Sequence, residues 1–145
     1  MLKITRLADY SVVIISSFKG VEKEIVSAQQ IIKKTKLQQA TVHKILAILV
    51  KKKILIAFRG VSGGYKLRRD LSNISIKDLI EAIEGPVSLT ACLNKNANDC
   101  NLFNVCITKN TWHLVNNAVK ETLDKIKIQD IGKKGCNDYE RFFKI

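Results

Sequence analysis

SAQQIIKKTKLQQATVHKILAILVKK, residues 27–52, is the stretch whose reading decides the fold. Ser27 is a favourable N-cap, and the spacing predicts a short helix from Ala28 to Lys34 with Ile31 and Ile32 turned inward. Thr35-Lys36-Leu37 reads as a tight turn. A second helix follows from about Gln38 to Lys52, its Val42, Ile45, Leu46 and Leu49 falling at helical spacing on one face. Two short helices joined by a tight turn form a helix-turn-helix, whose second helix enters a major groove with its N-terminal residues at the base edges. Gln38, Thr41, His43 and Lys44 are the polar side chains near that end. A glutamine there can pair bidentately with adenine.

Immediately downstream, Ile54 to Phe58 is β-prone, Gly60-Val61-Ser62-Gly63-Gly64 must turn, and Tyr65-Lys66-Leu67 alternates. That is a hairpin, and after a helix-turn-helix a hairpin is a wing. Gly60, Ser62 and Gly63 let the backbone approach a phosphate or a minor groove, and Arg59 stands at the base of the loop. A Walker-type phosphate cradle is excluded, because the loop lacks a Gly-Lys-Ser/Thr ending and leads into a strand rather than a helix.

The charge pattern points to the same partner. Of 145 residues, 25 are Lys or Arg and 13 are Asp or Glu, giving a net charge of +12, and no acid lies between Glu24 and Asp70. That window holds eleven cations: Lys33, Lys34, Lys36, Lys44, Lys51, Lys52, Lys53, Arg59, Lys66, Arg68 and Arg69. A polyanion is the natural partner, and double-stranded DNA suits it better than a membrane, because no exposed apolar face backs the cations. The blander alternative is a chain that is generally rich in lysine. No apolar run approaches the ~20 residues that span a bilayer. The opening Met-Leu-Lys has no apolar signal region behind it, so a reducing cytoplasm is expected.

Around this unit, Ile4, Leu7, Ala8, Val12, Ile15 and Phe18 mark a first helix within residues 3–19, with Thr5 as N-cap and Gly20 as its end. Asp9 lies inside it, where an acid is ordinarily a solvated face residue. Ser75 caps a helix whose Ile76, Leu79, Ile80 and Ile83 form an apolar stripe that Gly85-Pro86 stops. Trp112, Val115, Val119, Thr122 and Ile126, widened by Leu114, Ala118 and Leu123, predict a long C-terminal helix. A helix that apolar needs a partner, most simply its own copy in a homodimer. Between the two helices lies Cys92-x7-Cys100-x5-Cys106 in an Asn-rich loop. Clustered thiolates suit zinc or an iron-sulfur cluster. A disulfide, which would leave one thiol unpaired, and three buried small hydrophobes are the alternatives. Cys136 reads as an incidental thiol in a polar tail. A thiol-based redox enzyme would need Cys-x-x-Cys or a cysteine beside a placed base, and neither is present, so no enzyme is expected.

Tyr10, Arg59-Gly60, Gly63-Gly64-Tyr65-Lys66-Leu67 and Ile83-Glu84-Gly85-Pro86, followed by three cysteines, resemble the winged-helix iron-sulfur regulator family that includes IscR and NsrR. Within it, Leu7-Ala8-Asp9-Tyr10 and Glu84-Gly85-Pro86-Val87-x-Leu89-Thr90-x-Cys92 are most similar to regulators of SUF iron-sulfur assembly operons. The resemblance covers about residues 1–130. It implies a mostly α fold with a small β-hairpin. Residues 1–91 would form a winged helix-turn-helix, 92–106 a cluster-binding loop, 107–131 a dimerisation helix and 132–145 a flexible tail. It also implies a homodimeric regulator on a palindromic operator, carrying a 2Fe-2S or 4Fe-4S cluster on Cys92, Cys100 and Cys106.

Two departures bear on the ligands. The first cysteine gap is longer than in IscR-type proteins, and the ligating His of those proteins is here Lys109. On a helix His113 would sit ~10 Å from Cys106 along the axis. Asp9 matches the N-terminal acid of the resembling nitric-oxide sensor, which makes it the favoured candidate for the fourth ligand, from the partner subunit, with an exogenous thiol or water as the alternative. The runner-up reading keeps the winged helix and places a structural zinc or redox-active thiols in the same loop.

Overall fold

The computed structural model describes residues 3–90, 93 and 105–132. Five helices and one hairpin follow in order: α1 Arg6–Ser16, α2 Ala28–Thr35, α3 Gln39–Lys51, β1 Leu55–Phe58, β2 Gly64–Leu67, α4 Ile76–Glu84 and α5 Lys109–Lys125. Short 3-10 turns occupy Leu71–Asn73 and Ile128–Asp130. The expected architecture is therefore present: a mostly helical winged helix-turn-helix followed by a long helix.

The local chemistry accounts for where the helices begin. Thr5 accepts from the Ala8 N–H, while Ser27 and Ser75 each close a capping box with Gln30 and Asp78. At the other end of α2, Lys36 takes the left-handed conformation (φ 58°, ψ 20°) and its N–H bonds to the Ile32 carbonyl. That single left-handed residue turns the chain into α3.

A shared core holds α1 to α4 and the hairpin. Ile14, Ile15 and Phe18 meet Ile31 of α2, Val42, Ile45, Leu46 and Leu49 of α3, Leu55 and Leu67 of the hairpin, and Leu79 of α4. The hairpin pairs antiparallel from Leu55↔Leu67 to Phe58↔Gly64. It is also pinned upstream by an isolated bridge between Val26 and Tyr65.

Three sequence expectations change, the first being that α1 ends at Ser16 with Ser17 as its C-cap and not at Gly20. Ile4 precedes the N-cap, so it lies outside the stripe of α1 and is 55% exposed, and Ile14 occupies the core instead. The C-terminal stripe does not continue as one helix through Ile126. Ile126 is extended (φ −82°, ψ 109°) and its carbonyl accepts from the Ile76 N–H, while Ile128 bonds back to the Ile74 carbonyl and is fully buried. Burying Ile128 in the shared core outweighs another helical turn in solvent, because a fully buried Ile contributes roughly 1.5–3 kcal/mol. Cys92, Cys100 and Cys136, and with them most of the cysteine loop and the tail, lie outside the described residues. Among the described residues no helix is long and apolar enough to cross a membrane.

Candidate functional site

The start of α3 is built to present polar groups outward. Val42, Ile45 and Leu46 are fully buried, which fixes the rotation of the helix and leaves Gln38, His43 and Lys44 exposed, with Thr41 half-buried. Gln38 is the N-cap by backbone alone, and its side chain makes no capping bond. Lys36, in the turn just before it, is exposed as well.

The wing stands beside this surface. Arg59, Gly60, Val61 and Ser62 are exposed, with Gly60 at φ +109° and the Gly63 N–H closing the turn onto the Gly60 carbonyl at 3.0 Å. A Cβ on Gly63 would lie 2.4 Å from the Phe58 carbonyl oxygen, and one on Gly64 would lie 2.6 Å from that of Val26. The second approach is close because Val26 and Tyr65 exchange both backbone hydrogen bonds at 2.8 Å. Val26 immediately precedes the cap of α2, so this bridge fixes the wing relative to the helix-turn-helix. Nothing in the sequence pattern marks Val26 as a strand partner, since a single bridging residue has no periodicity. Among the described residues, ion pairs join Arg69 to Asp78, and Lys77 and Lys127 to Asp124, and none engages Lys36, Lys44 or Arg59.

Of the cysteine loop, the described part is its far end. Cys106 precedes α5, and its Sγ lies 3.4 Å from the Thr108 hydroxyl. The hydrogen bond from that hydroxyl holds the thiol below the ordinary cysteine value, helped by the backbone N–H groups of Thr108 and Lys109 and by the Lys109 charge. A thiolate favoured at a helix N-terminus is the donor that a soft metal or an iron-sulfur cluster requires, so Cys106 fits such a group. Asp9 is exposed on α1, and His113 is exposed on α5. Among the described residues of one chain, no three His, Cys, Asp or Glu side chains gather as a metal site.

Residues to which the sequence assigned no structural role hold the approach to this loop. Glu84, at the end of α4, accepts from the N–H and the hydroxyl of Thr5 at 3.0 and 2.9 Å, tying α4 to the start of the helix that carries Asp9. Glu81 accepts from the Val87 N–H at 3.2 Å. Asn116 of α5 is 4% exposed and bonds the backbone of Val87 and Leu89. Its signal was readable: Asn116 is a polar residue four after Trp112 and three before Val119, on the side of the helix that the apolar spacing turns inward. The rest of that stripe remains uncovered. Trp112, Leu114 and Val115 are exposed, and Leu114, Val115, Ala118, Val119, Thr122 and Leu123 line an apolar groove of about 400 Å³.

Comparison with known proteins agrees with this arrangement. The Rrf2 family model, described as an iron-dependent transcriptional regulator, matches residues 4–134. The HTH-type transcriptional regulator NsrR of Oceanobacillus iheyensis is 26% identical over 137 residues, covering 91% of this chain and 90% of that protein. The HTH-type transcriptional regulator IscR of Vibrio campbellii is 28% identical over 91 residues, covering 63% of this chain and 53% of that protein. Among solved structures, CymR, the global cysteine regulator of B. subtilis, superposes with a TM-score of 0.65 at 25% identity over 90% of this chain and 95% of that one.

Proposed function

Because the chain belongs to the Rrf2 family of transcriptional regulators, we propose that it binds a palindromic operator as a homodimer whose affinity is set by an iron-sulfur cluster in the three-cysteine loop. It is a DNA-binding regulator and not an enzyme. The genes it controls are, on this reading, those of iron-sulfur cluster assembly.

The single observation that carries the reading is the exposed cationic face formed by the start of α3 and the wing, within a window that contains no acid from Ile25 to Arg69. Gln38, Thr41, His43 and Lys44 would read base edges, while Gly60, Ser62 and Gly63 admit the backbone to a phosphate or minor groove and Arg59 reaches beside them. Cys92, Cys100 and Cys106 would hold the cluster, with Asp9 of the partner subunit as the fourth ligand. The cluster would supply a redox- and supply-sensitive ligand set whose loss frees those side chains. A carboxylate is a harder and weaker iron ligand than a thiolate, which makes such a site labile. Asp9 lies one turn inside α1, and Glu84 bonds the cap of that helix, so the ligand position is linked through α4 to the wing-bearing unit.

Anaerobic purification followed by an absorption spectrum, iron and sulfide counts, and operator titration with and without the cluster tests this directly. Affinity should fall steeply with salt. Arg59→Ala should weaken specific binding by ~1–3 kcal/mol. A colourless zinc protein, or equal operator affinity in both forms, would overturn cluster sensing. The likeness to a cysteine regulator and the depressed Cys106 thiol favour one second reading, a winged-helix repressor that responds through its thiols or a structural zinc. The iron-to-zinc ratio separates the two.

A further inference from the structure

The chain leading into the cysteine loop is held from both sides. The Val87 N–H donates to Glu81 Oε1 of α4, and the Val87 carbonyl accepts from Asn116 Nδ2 of α5 at 3.3 Å. Two residues on, the Leu89 N–H donates to Asn116 Oδ1 at 3.1 Å. The carboxamide thus engages the segment with both of its ends, accepting from one residue and donating to the carbonyl of the residue two before it.

Asn116 is the one buried residue of α5. A buried amide is costly unless both of its ends are bonded, and a helix that merely packed here would be better served by an apolar side chain. Both ends are bonded, and both to the 87–89 segment. Cys92 follows Leu89 by three residues in the sequence, so the segment held is the one that leads directly to the first cysteine of the loop. Cys106, the last cysteine of the loop, lies three residues before Lys109, where the helix that carries Asn116 begins.

We propose that Asn116 is a positioning residue for the metal-binding thiols, fixing the 87–89 segment that leads into the loop against α5. This rests on the cluster reading above. Asn116 touches no ligand itself; it acts through the backbone of Val87 and Leu89.

The test uses the full-length protein, with Asn116→Leu to remove both bonds and Asn116→Asp to keep the acceptor for Leu89 while losing the donor to Val87. Ile31→Val, a fully buried position of α2, serves as a control that destabilises without touching the loop. Three measurements are made: hydrogen exchange of the Leu89 amide in metal-free protein, cluster formation on anaerobic addition of iron and sulfide, and the rate of cluster loss to a ferrous chelator. Asn116→Leu should expose the Leu89 amide to exchange and speed cluster loss about tenfold, with Asn116→Asp in between and Ile31→Val unchanged. Should Asn116→Leu fail to fold, Asn116→Asp against wild type decides alone. Equal loss rates in wild type and variants, or the same acceleration in Ile31→Val, would overturn the positioning role while leaving the cluster reading intact. A wild-type chain that forms no chromophore would overturn the cluster reading first, and the inference with it.

Discussion

Single residues fix how the wing and the thiol are presented. Gly64 approaches the Val26 carbonyl so closely that any side chain must break the bridge between Val26 and Tyr65. Gly64→Ala should therefore cost about 1–3 kcal/mol in urea unfolding and weaken DNA binding by loosening the wing. Gly60→Ala meets no neighbour within 4 Å, so any cost there comes from its positive φ alone. The glycines of the wing are legible in the sequence as a turn, but the collision behind Gly64 is not, because it arises from a residue almost forty positions earlier. Cys106 behaves similarly. Its place in a cysteine cluster is visible in the sequence, whereas the Thr108 hydroxyl that lowers its pKa becomes visible only with the start of α5 in place. In metal-free protein the alkylation rate of Cys106 should reach half its maximum below the ordinary cysteine pH of ~8.5. Thr108→Val should move that midpoint upward. An unchanged midpoint, followed on the Cys106 peptide by mass spectrometry, would remove Thr108 from the account.

At the level of elements, capping chemistry explains why the helix starts could be read so closely. Thr5, Ser27 and Ser75 are N-caps in the structure as their residue types imply, and the two serines complete boxes with Gln30 and Asp78. Ser75 does more than Ser27, since its hydroxyl also donates to Asp124 at 3.1 Å and the residue is fully buried. Ser27→Ala should cost ~1 kcal/mol, and Ser75→Ala nearer ~2 kcal/mol, because the bond from its buried hydroxyl to the half-exposed Asp124 carboxylate is lost with the cap. Comparing the two midpoints in urea checks the difference. Helix ends were less legible. The apolar spacing of Trp112 to Ile126 carries no stop signal before Gly132, and the break after Lys125 is made by tertiary pairing of Ile126 and Ile128 with Ile76 and Ile74. The inward side of Asn116 was readable, but the partners of Asn116, Glu81 and Glu84 were not, because Leu89, Val87 and Thr5 all lie outside the helices that carry these side chains. Spacing within a helix reports its inward face, and it is silent on which segment that face will meet.

At the scale of the whole molecule, the apolar face of α5 is left uncovered by the described residues. Trp112 is 41% exposed, Leu114 73% and Val115 37%, around a groove that Ala118, Val119 and Leu123 continue along α5. The flank of α5 beside that groove is already engaged: Asn116 holds the 87–89 segment, and Asp124 is bonded to Ser75 and paired with Lys77 at 2.9 Å. The helix is therefore fixed in rotation by its polar bonds, and its apolar face is turned outward in one orientation. A symmetric pairing of two such faces would cover them. It would also set the two α3 helices at a constant separation, which for successive major-groove half-sites is ~34 Å. A stable dimer of this kind buries roughly 800 Å² per subunit, so one charge at its centre is decisive. Val119→Glu places a carboxylate in the groove without touching Asn116, Asp124 or the shared core, and should convert the protein to a folded monomer. Sedimentation at micromolar concentration reads the change in mass, and circular dichroism confirms that helix content is kept. Operator binding by that monomer should fall far more than its binding to a single half-site, because what is lost is the coupling of two sites and not the cationic face. A wild-type chain that sediments as a monomer with and without its metal would show that this face serves a different partner.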